Sequence, residues 1–238
     1  MSIKAVLFDL DATLLPMNQD KFIEKYFAEI SAYLNDKCGY EPKGFLGAMW
    51  LGIKDMITND GTRTNEEAFW ERFKGIYGSE RIEGDMPVFE QFYAERFERT
   101  KSVCGYTKKS REVVDFVKEK GIIAVLATNP VFPLEATKMR MGWVDLKPED
   151  FALVTTYENI GFCKPNPEYY AEIAKRIGVS PSECLMVGND TSDDLSAALA
   201  GMDVFLLTDC LINTKGVDIS SVPNGGFDEL FAYLKKRI

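Results

Sequence analysis

At 238 residues, 46% hydrophobic and 27% charged, the chain can bury the core of one large or two small domains, and it is neither disordered nor a low-complexity or collagen-like polymer. Its 28 basic and 37 acidic residues leave a net charge of −9, which excludes nucleic-acid binding through bulk electrostatics. It contains no histidine, so Ser-His-Asp and Cys-His nucleophiles and imidazole-bound metals are excluded, and acid–base chemistry falls to carboxylates, Lys, Tyr or Cys.

Residues 3–10 (IKAVLFDL) form a short apolar run that ends at acids, the pattern of a buried strand. The run carries Asp9 and is too short for a secretion signal. No comparable run occurs from about residue 17 to 103. Aromatic residues recur there at helical spacing instead: Phe22, Tyr26 and Phe27, then Phe69 and Phe73, then Phe89, Phe92, Tyr93 and Phe97. Thr64 and Glu67 make a capping box at the start of one of these helices, so the stretch is expected to be a small helical bundle.

After Gly105, strands and helices alternate. A helix is expected over 110–120, a strand over 122–127 and a weaker strand over 153–156. Asn166 and Pro167 open a helix that runs to 177, with a cap and a proline at its first position. A strand over 184–187, a small-residue helix over 191–200, a strand over 204–207 and a helix over 228–236 follow. Lys235, Lys236 and Arg237 suit the C-terminal end of the last helix. Such alternation predicts an α/β fold, a parallel sheet covered on both faces. The five cysteines are widely spaced without a CxxC pair, which argues against a disulfide framework or zinc knuckle and for free thiols in a reducing cytoplasm. No apolar run reaches membrane-spanning length, so no membrane partner is expected.

Polar residues collect where the expected strands end: Asp9 and Asp11, Thr128 with Asn129, Lys164 in the following loop, and Asp190, Asp193 and Asp194. In open α/β sheets those ends form the ligand crevice. Asp9 and Asp11 are two residues apart and point the same way, and paired carboxylates resist joint ionisation unless a cation lies between them. Asp190 suits Mg²⁺ as a hard oxygen ligand. Turn, cap or surface roles would explain each position taken alone. Asp194 lies three residues after Thr191, so helix capping with support of its neighbours is its expected role, and Asp193 suits a helix N-terminus in any case.

Together these residues resemble the four motifs of the haloacid dehalogenase-like (HAD) hydrolase superfamily, in order and spanning the core. Asp9-Leu10-Asp11-Ala12-Thr13 is similar to the first motif, Thr128 to the second, Lys164 in KPNP to the third, and Gly188-Asn189-Asp190 through Asp194 to the fourth. The resemblance implies a Rossmann-like core, residues 1–16 and 104–238, with an inserted helical cap, residues 17–103, that closes over a small phosphorylated metabolite. It implies that Asp9 attacks phosphorus, that Asp11 protonates the leaving oxygen and then activates water, and that Thr128, Asn129 and Lys164 hold the phosphoryl group. Mg²⁺ would be held by Asp9, the Asp11 carbonyl and Asp190, with Asn189 and Asp194 in support. Within the fourth motif, Asn189/Asp193 and Asp190/Asp194 have the same spacing; the second pair is preferred because it starts with a carboxylate.

An acid at Asp11 points to phosphate esters, because relatives that break carbon–halogen or carbon–phosphorus bonds typically lack it. Ala12 stands where the family usually has Gly, so the turn must take a negative φ or be strained. In the cap, Lys54, Arg63 and Trp50 are read as solvated surface or packing rather than substrate contacts. A phosphomutase of the same superfamily uses the same Asp pair and is not separated from a phosphatase by this sequence. A signalling receiver domain is shorter and lacks the insertion, and a non-catalytic phosphate-binding protein would be marked by loss of the nucleophile or lysine, both of which are present.

Overall fold

The tetrapeptide Ala5–Phe8 (AVLF) is buried at every residue and forms the strand β1, around which the sheet is laid. In the computed structural model, which describes residues 2–238, β1 pairs in parallel with β2 (Ile123–Leu126) on one side and β4 (Cys184–Gly188) on the other. Ala5 faces both Ile123 and Cys184 in register. Adding β3 (Leu153–Val154), β5 (Asp203–Leu207) and β6 (Asn224–Gly225) gives a six-stranded parallel sheet in the order β3-β2-β1-β4-β5-β6. Strand order reverses between β1 and β4, and the crevice outside their carboxyl ends is where such sheets bind ligands.

Between β1 and the helix α5 (Lys109–Glu119) the chain makes four helices: α1 (Gln19–Cys38), α2 (Pro42–Ile57), α3 (Asn65–Tyr77) and α4 (Ser79–Glu95). A 3-10 segment, Phe97–Val103, brings it back. The Thr64–Glu67 capping box forms as expected at the start of α3. Entry and exit of this excursion are stitched together: Met17 and Cys104 form an antiparallel bridge, and the Gly105 N–H donates to the Pro16 carbonyl at 2.6 Å. A side chain at Gly105 would crowd Pro16, since a Cβ there would lie 3.2 Å from the proline ring.

The remaining elements are α6 (Leu134–Gly142), α7 (Pro167–Arg176) and α8 (Phe227–Arg237). Asn166 caps α7 and the basic triplet closes α8, both as the sequence leads one to expect. Four features differ, the first being the two-residue edge strand β6, which no apolar run announces. The expected helix over 191–200 is a 3-10 segment, Asp194–Ala200, because the N–H groups of Ser192 and Asp193 are drawn onto the Asp190 carboxylate. The weak strand shortens to Leu153–Val154. Helix α6 has no counterpart in the sequence pattern, since LEATKMRMG carries no apolar stripe. No helix among the described residues is long and apolar enough to cross a membrane.

Phe97 joins the helical excursion to the sheet-bearing part. Its buried ring stacks on Trp143 at 5.8 Å and meets Phe22, Tyr26, Phe92, Tyr93 and Phe132 within 6.3 Å. Truncating a buried ring loses its burial and leaves a cavity. Phe97→Ala is therefore expected to cost about 3–5 kcal/mol, measured as a fall in the urea midpoint. A loss below about 1 kcal/mol would show that the two parts do not depend on this contact.

Candidate active site

Asp9 is the first residue beyond β1, and its N–H donates to the Val187 carbonyl of β4 at 2.9 Å. The carboxylate is thereby held at the strand-order reversal. Its Oδ1 accepts from the Lys164 ammonium at 2.9 Å, and its Oδ2 lies 3.1 Å from the Thr13 hydroxyl. That hydroxyl also lies 2.8 Å from the side-chain oxygen of Asn189. Burial pushes the Asp9 carboxyl up to about 7; Lys164 opposes the rise, and Asp194 and Asp11 add to it.

Lys164 reaches inward from the loop before α7 and also donates to Asp194 Oδ1 at 2.6 Å. Burial by itself would lower its pKa, but Asp194 and Asp9 outweigh burial and hold it well above the ordinary lysine value. The other Asp194 oxygen accepts the N–H groups of Asn189 and Asp190, each at 2.9 Å. Asp194 thus ties the loop after β4 to Lys164 rather than pairing with Thr191 as a helix cap. Gly188 makes this approach feasible, because a methyl group there would overlap the Asp194 carboxylate. Asp190 Oδ1 accepts from Ser192 at 2.6 Å and Asp193 at 3.0 Å, which leaves its second oxygen free of these bonds.

Thr128 sits just past β2. Its carbonyl accepts from Thr155 and Tyr169, each at 2.8 Å, which fixes the backbone beneath its side chain. Asn129 donates weakly to Asp193 at 3.4 Å, and its Oδ1 is buried without a partner. Burial pushes the Asp193 carboxyl up to about 6, with Lys164 opposing and Asp190 adding.

The structure brings the expected residues together. Asp9, Asp11, Thr128, Asn129, Lys164, Asn189, Asp190 and Asp194 all line one small cavity of about 30 Å³, joined by Asp193, which the sequence placed in the same polar group and at a helix terminus, and by Gln19, which it did not single out. Ala12 adopts φ +60°, the strained alternative, in a tight turn closed by its N–H to the Leu15 carbonyl at 2.8 Å. Lys54 and Arg63 are exposed, and Arg63 pairs with Glu71. Trp50 is exposed and packs edge-on against Phe27, and it also lines a second, larger cavity between the helical excursion and the loops after β2 and β3.

Sequence reasoning missed Arg140. This residue of α6 is wholly buried and donates to Asp11 Oδ2. Its Nε also meets the Ala136 carbonyl and its second terminal nitrogen the Thr137 hydroxyl, each at 3.3 Å. The guanidinium lies 4.3 Å from the centre of the Phe132 ring, a cation–π contact. Nothing in the sequence marks it, because its helix lacks a pattern and its partner lies 129 residues away.

Residues 3–201 match the haloacid dehalogenase-like hydrolase family. The chain is 24% identical over 206 residues to the N-acetylmuramic acid 6-phosphate phosphatase of Pseudomonas aeruginosa, covering 84% of this chain and 80% of that protein. It is 35% identical to YhcW of Bacillus subtilis over 66 residues, which are 28% of this chain and 30% of YhcW. A crystal structure of a HAD phosphatase from Thermococcus onnurineus superposes with a TM-score of 0.57 at 22% identity, covering 99% of this chain and all of that one, a likeness of fold.

Two outcomes are expected of this geometry. Gly188→Ala displaces the Asp194 carboxylate and costs about 1–3 kcal/mol by overpacking; thermal unfolding that matches the unsubstituted protein would contradict the contact. Asp9 holds its proton to higher pH when folded than when unfolded, so below the ordinary carboxylate pKa of 3.8 it costs the fold nothing, and stability falls as pH rises from 3.8 to about 7. The upper bound is about 1.4 kcal/mol per pH unit. In metal-free protein, the fall is expected to be shallower in Asp9→Asn; equal slopes over that window would refute the burial of this charge.

Proposed function

The chain belongs to the haloacid dehalogenase-like hydrolases, and from that membership we propose that it is a Mg²⁺-dependent phosphatase of a small phosphorylated metabolite, working through an aspartyl-phosphate on Asp9. The observation that carries this reading is the setting of Asp9. One carboxylate stands at the end of the central strand, bonded to a buried lysine, with a second acid two residues on that lines the same small cavity.

Asp9 attacks phosphorus, forming an acyl phosphate as the bond from phosphorus to the leaving oxygen breaks. The Asp11 carboxyl delivers a proton to that oxygen, then takes one from the water that cleaves the acyl phosphate and regenerates Asp9. Its Oδ2 is occupied by Arg140, whereas its Oδ1 has no hydrogen-bond partner, so Oδ1 is the oxygen placed to carry the proton. Arg140 acts here as a positioning residue that fixes the carboxylate. Lys164 and the Thr128 hydroxyl receive phosphoryl oxygens, with Asn129 beside them.

The donor set fits Mg²⁺. Among the described residues no three His, Cys, Asp or Glu side chains gather as a full protein cage. Two carboxylates, Asp9 and Asp190, with the Asp11 carbonyl would instead leave positions for water and phosphate, as this cation prefers. Bound there, it would offset the phosphoryl charge that repels a carboxylate nucleophile. Asn189 and Asp194 support the loop that carries Asp190. Residues 17–103 act as a cap over this site, hinged where Pro16–Met17 and Cys104–Gly105 lie side by side.

The test is hydrolysis of an aryl phosphate with Mg²⁺ and with chelator. Turnover is expected only with the metal, to fall at least about a thousandfold in Asp9→Asn and about a hundred- to ten-thousandfold in Asp11→Asn. Turnover that persists in chelator, or in Asp9→Asn, would overturn the proposal.

A further inference from the structure

The larger cavity, of about 430 Å³, is within the size range of small-molecule sites. Its lining adjoins that of the catalytic cleft along two chain segments. On α1, Gln19 lines the small cavity and Ile23 the large one; residues four apart share a helix face and stand about 6 Å apart along the axis. After β2, Asn129 lines the small cavity and Val131 and Phe132 the large one. The larger cavity is therefore the neighbouring space open to a group leaving a phosphorus held by Asp9 and Lys164.

The walls are apolar and ring-rich: Phe27, Met49, Trp50, Ile53, Phe69 and Trp70. No described Lys or Arg lines them, whereas Glu66, Glu90, Glu135 and Glu158 do. Glu135 is paired with Lys138 at 2.9 Å, and Arg140 lies behind the Phe132 ring, turned to Asp11. Glu158 spends one oxygen on the Leu134 N–H, and its other oxygen has no partner. Burial and then the neighbouring carboxylates of Glu158, Glu67 and Glu90 push the Glu66 carboxyl up, a sign that further negative charge is unwelcome there.

We propose that this cavity is the leaving-group site, and that it selects phosphate monoesters of an apolar, ring-sized alcohol or phenol that carries no second negative charge. The inference rests on the phosphatase reading and names its substrate class. A leaving group with a carboxylate or a further phosphate would meet three unpaired glutamates and no cation, and would give up hydration without compensation.

The test compares 4-ethylphenyl phosphate with 4-(carboxymethyl)phenyl phosphate. The second carries a carboxylate where the first has a methyl group, and their parent phenols have nearly the same acidity. Expected is a kcat/KM at least about tenfold higher for the neutral ester, narrowing in Glu90→Lys, where an exposed cavity glutamate becomes a cation. The ratio is taken within one preparation and is insensitive to the folded fraction. In Asp9→Asn, quenching of the fluorescence of Trp50 and Trp70 should show the same preference for the neutral ester without turnover. Turnover with a ratio near or below one overturns the inference and leaves the phosphatase standing. A high ratio that Glu90→Lys does not move places the selectivity outside this cavity and also overturns it. Binding preference without any turnover supports the site and removes the reaction; absence of both binding and turnover removes both.

Discussion

The ammonium of Lys164 lies between Asp9 and Asp194, and the arrangement of the crevice depends on that contact. Three charged side chains are removed from water together, each supplied by a different part of the sequence. Two buried carboxylates at this distance would repel; one buried lysine makes their company tolerable, although the Asp9 carboxyl is still pushed up to about 7. The second oxygen of Asp194 then collects two backbone N–H groups and fixes the loop that carries Asn189 and Asp190. Buried ion pairs of this kind add little net stability beside apolar packing, but removing one partner strands the other, so they specify geometry strongly.

A second layer stands behind the first. Arg140 grips Asp11 from below, and its guanidinium rests on Phe132, whose ring belongs to the aromatic cluster that includes Tyr26, Phe22 and Phe97. A chain of direct contacts therefore runs from Asp11 into the helical excursion. The same Phe132 ring lines the larger cavity, so the ring that backs Arg140 also walls that space. Orientation at the catalytic cleft and packing of the helices over it rest on the same few rings.

Legibility in the sequence followed locality. Asp9 and Asp11 were readable because one short apolar run and a two-residue spacing place both at a strand end. Asn166 with Pro167, and Thr64 with Glu67, were readable because a helix cap is a contact between near neighbours. Arg140 was not, because its helix has no periodic stripe and its partner lies far off in sequence. The 3-10 form of Asp194–Ala200 was hidden for a different reason, a local one: the Asp190 side chain competes for the N–H groups that would have begun a regular helix. Ala12 shows a third case, in which the sequence posed two alternatives and the surrounding turn selected φ +60°.

The sequence by itself determined the parallel α/β plan, the helical insertion after the first strand and the membership of the polar cluster, because apolar periodicity, caps and short motifs act over a few residues. Only the tertiary structure decided which Asp194 oxygen meets Lys164, that Gly188 must yield room for that carboxylate, that Arg140 stands behind Asp11, and which aromatic rings face a cavity rather than one another. The Gly188 contact is local, but the Lys164 and Arg140 contacts join segments 30 and 129 residues apart, and such distances exist only once the sheet has set its register and the helices have packed across it.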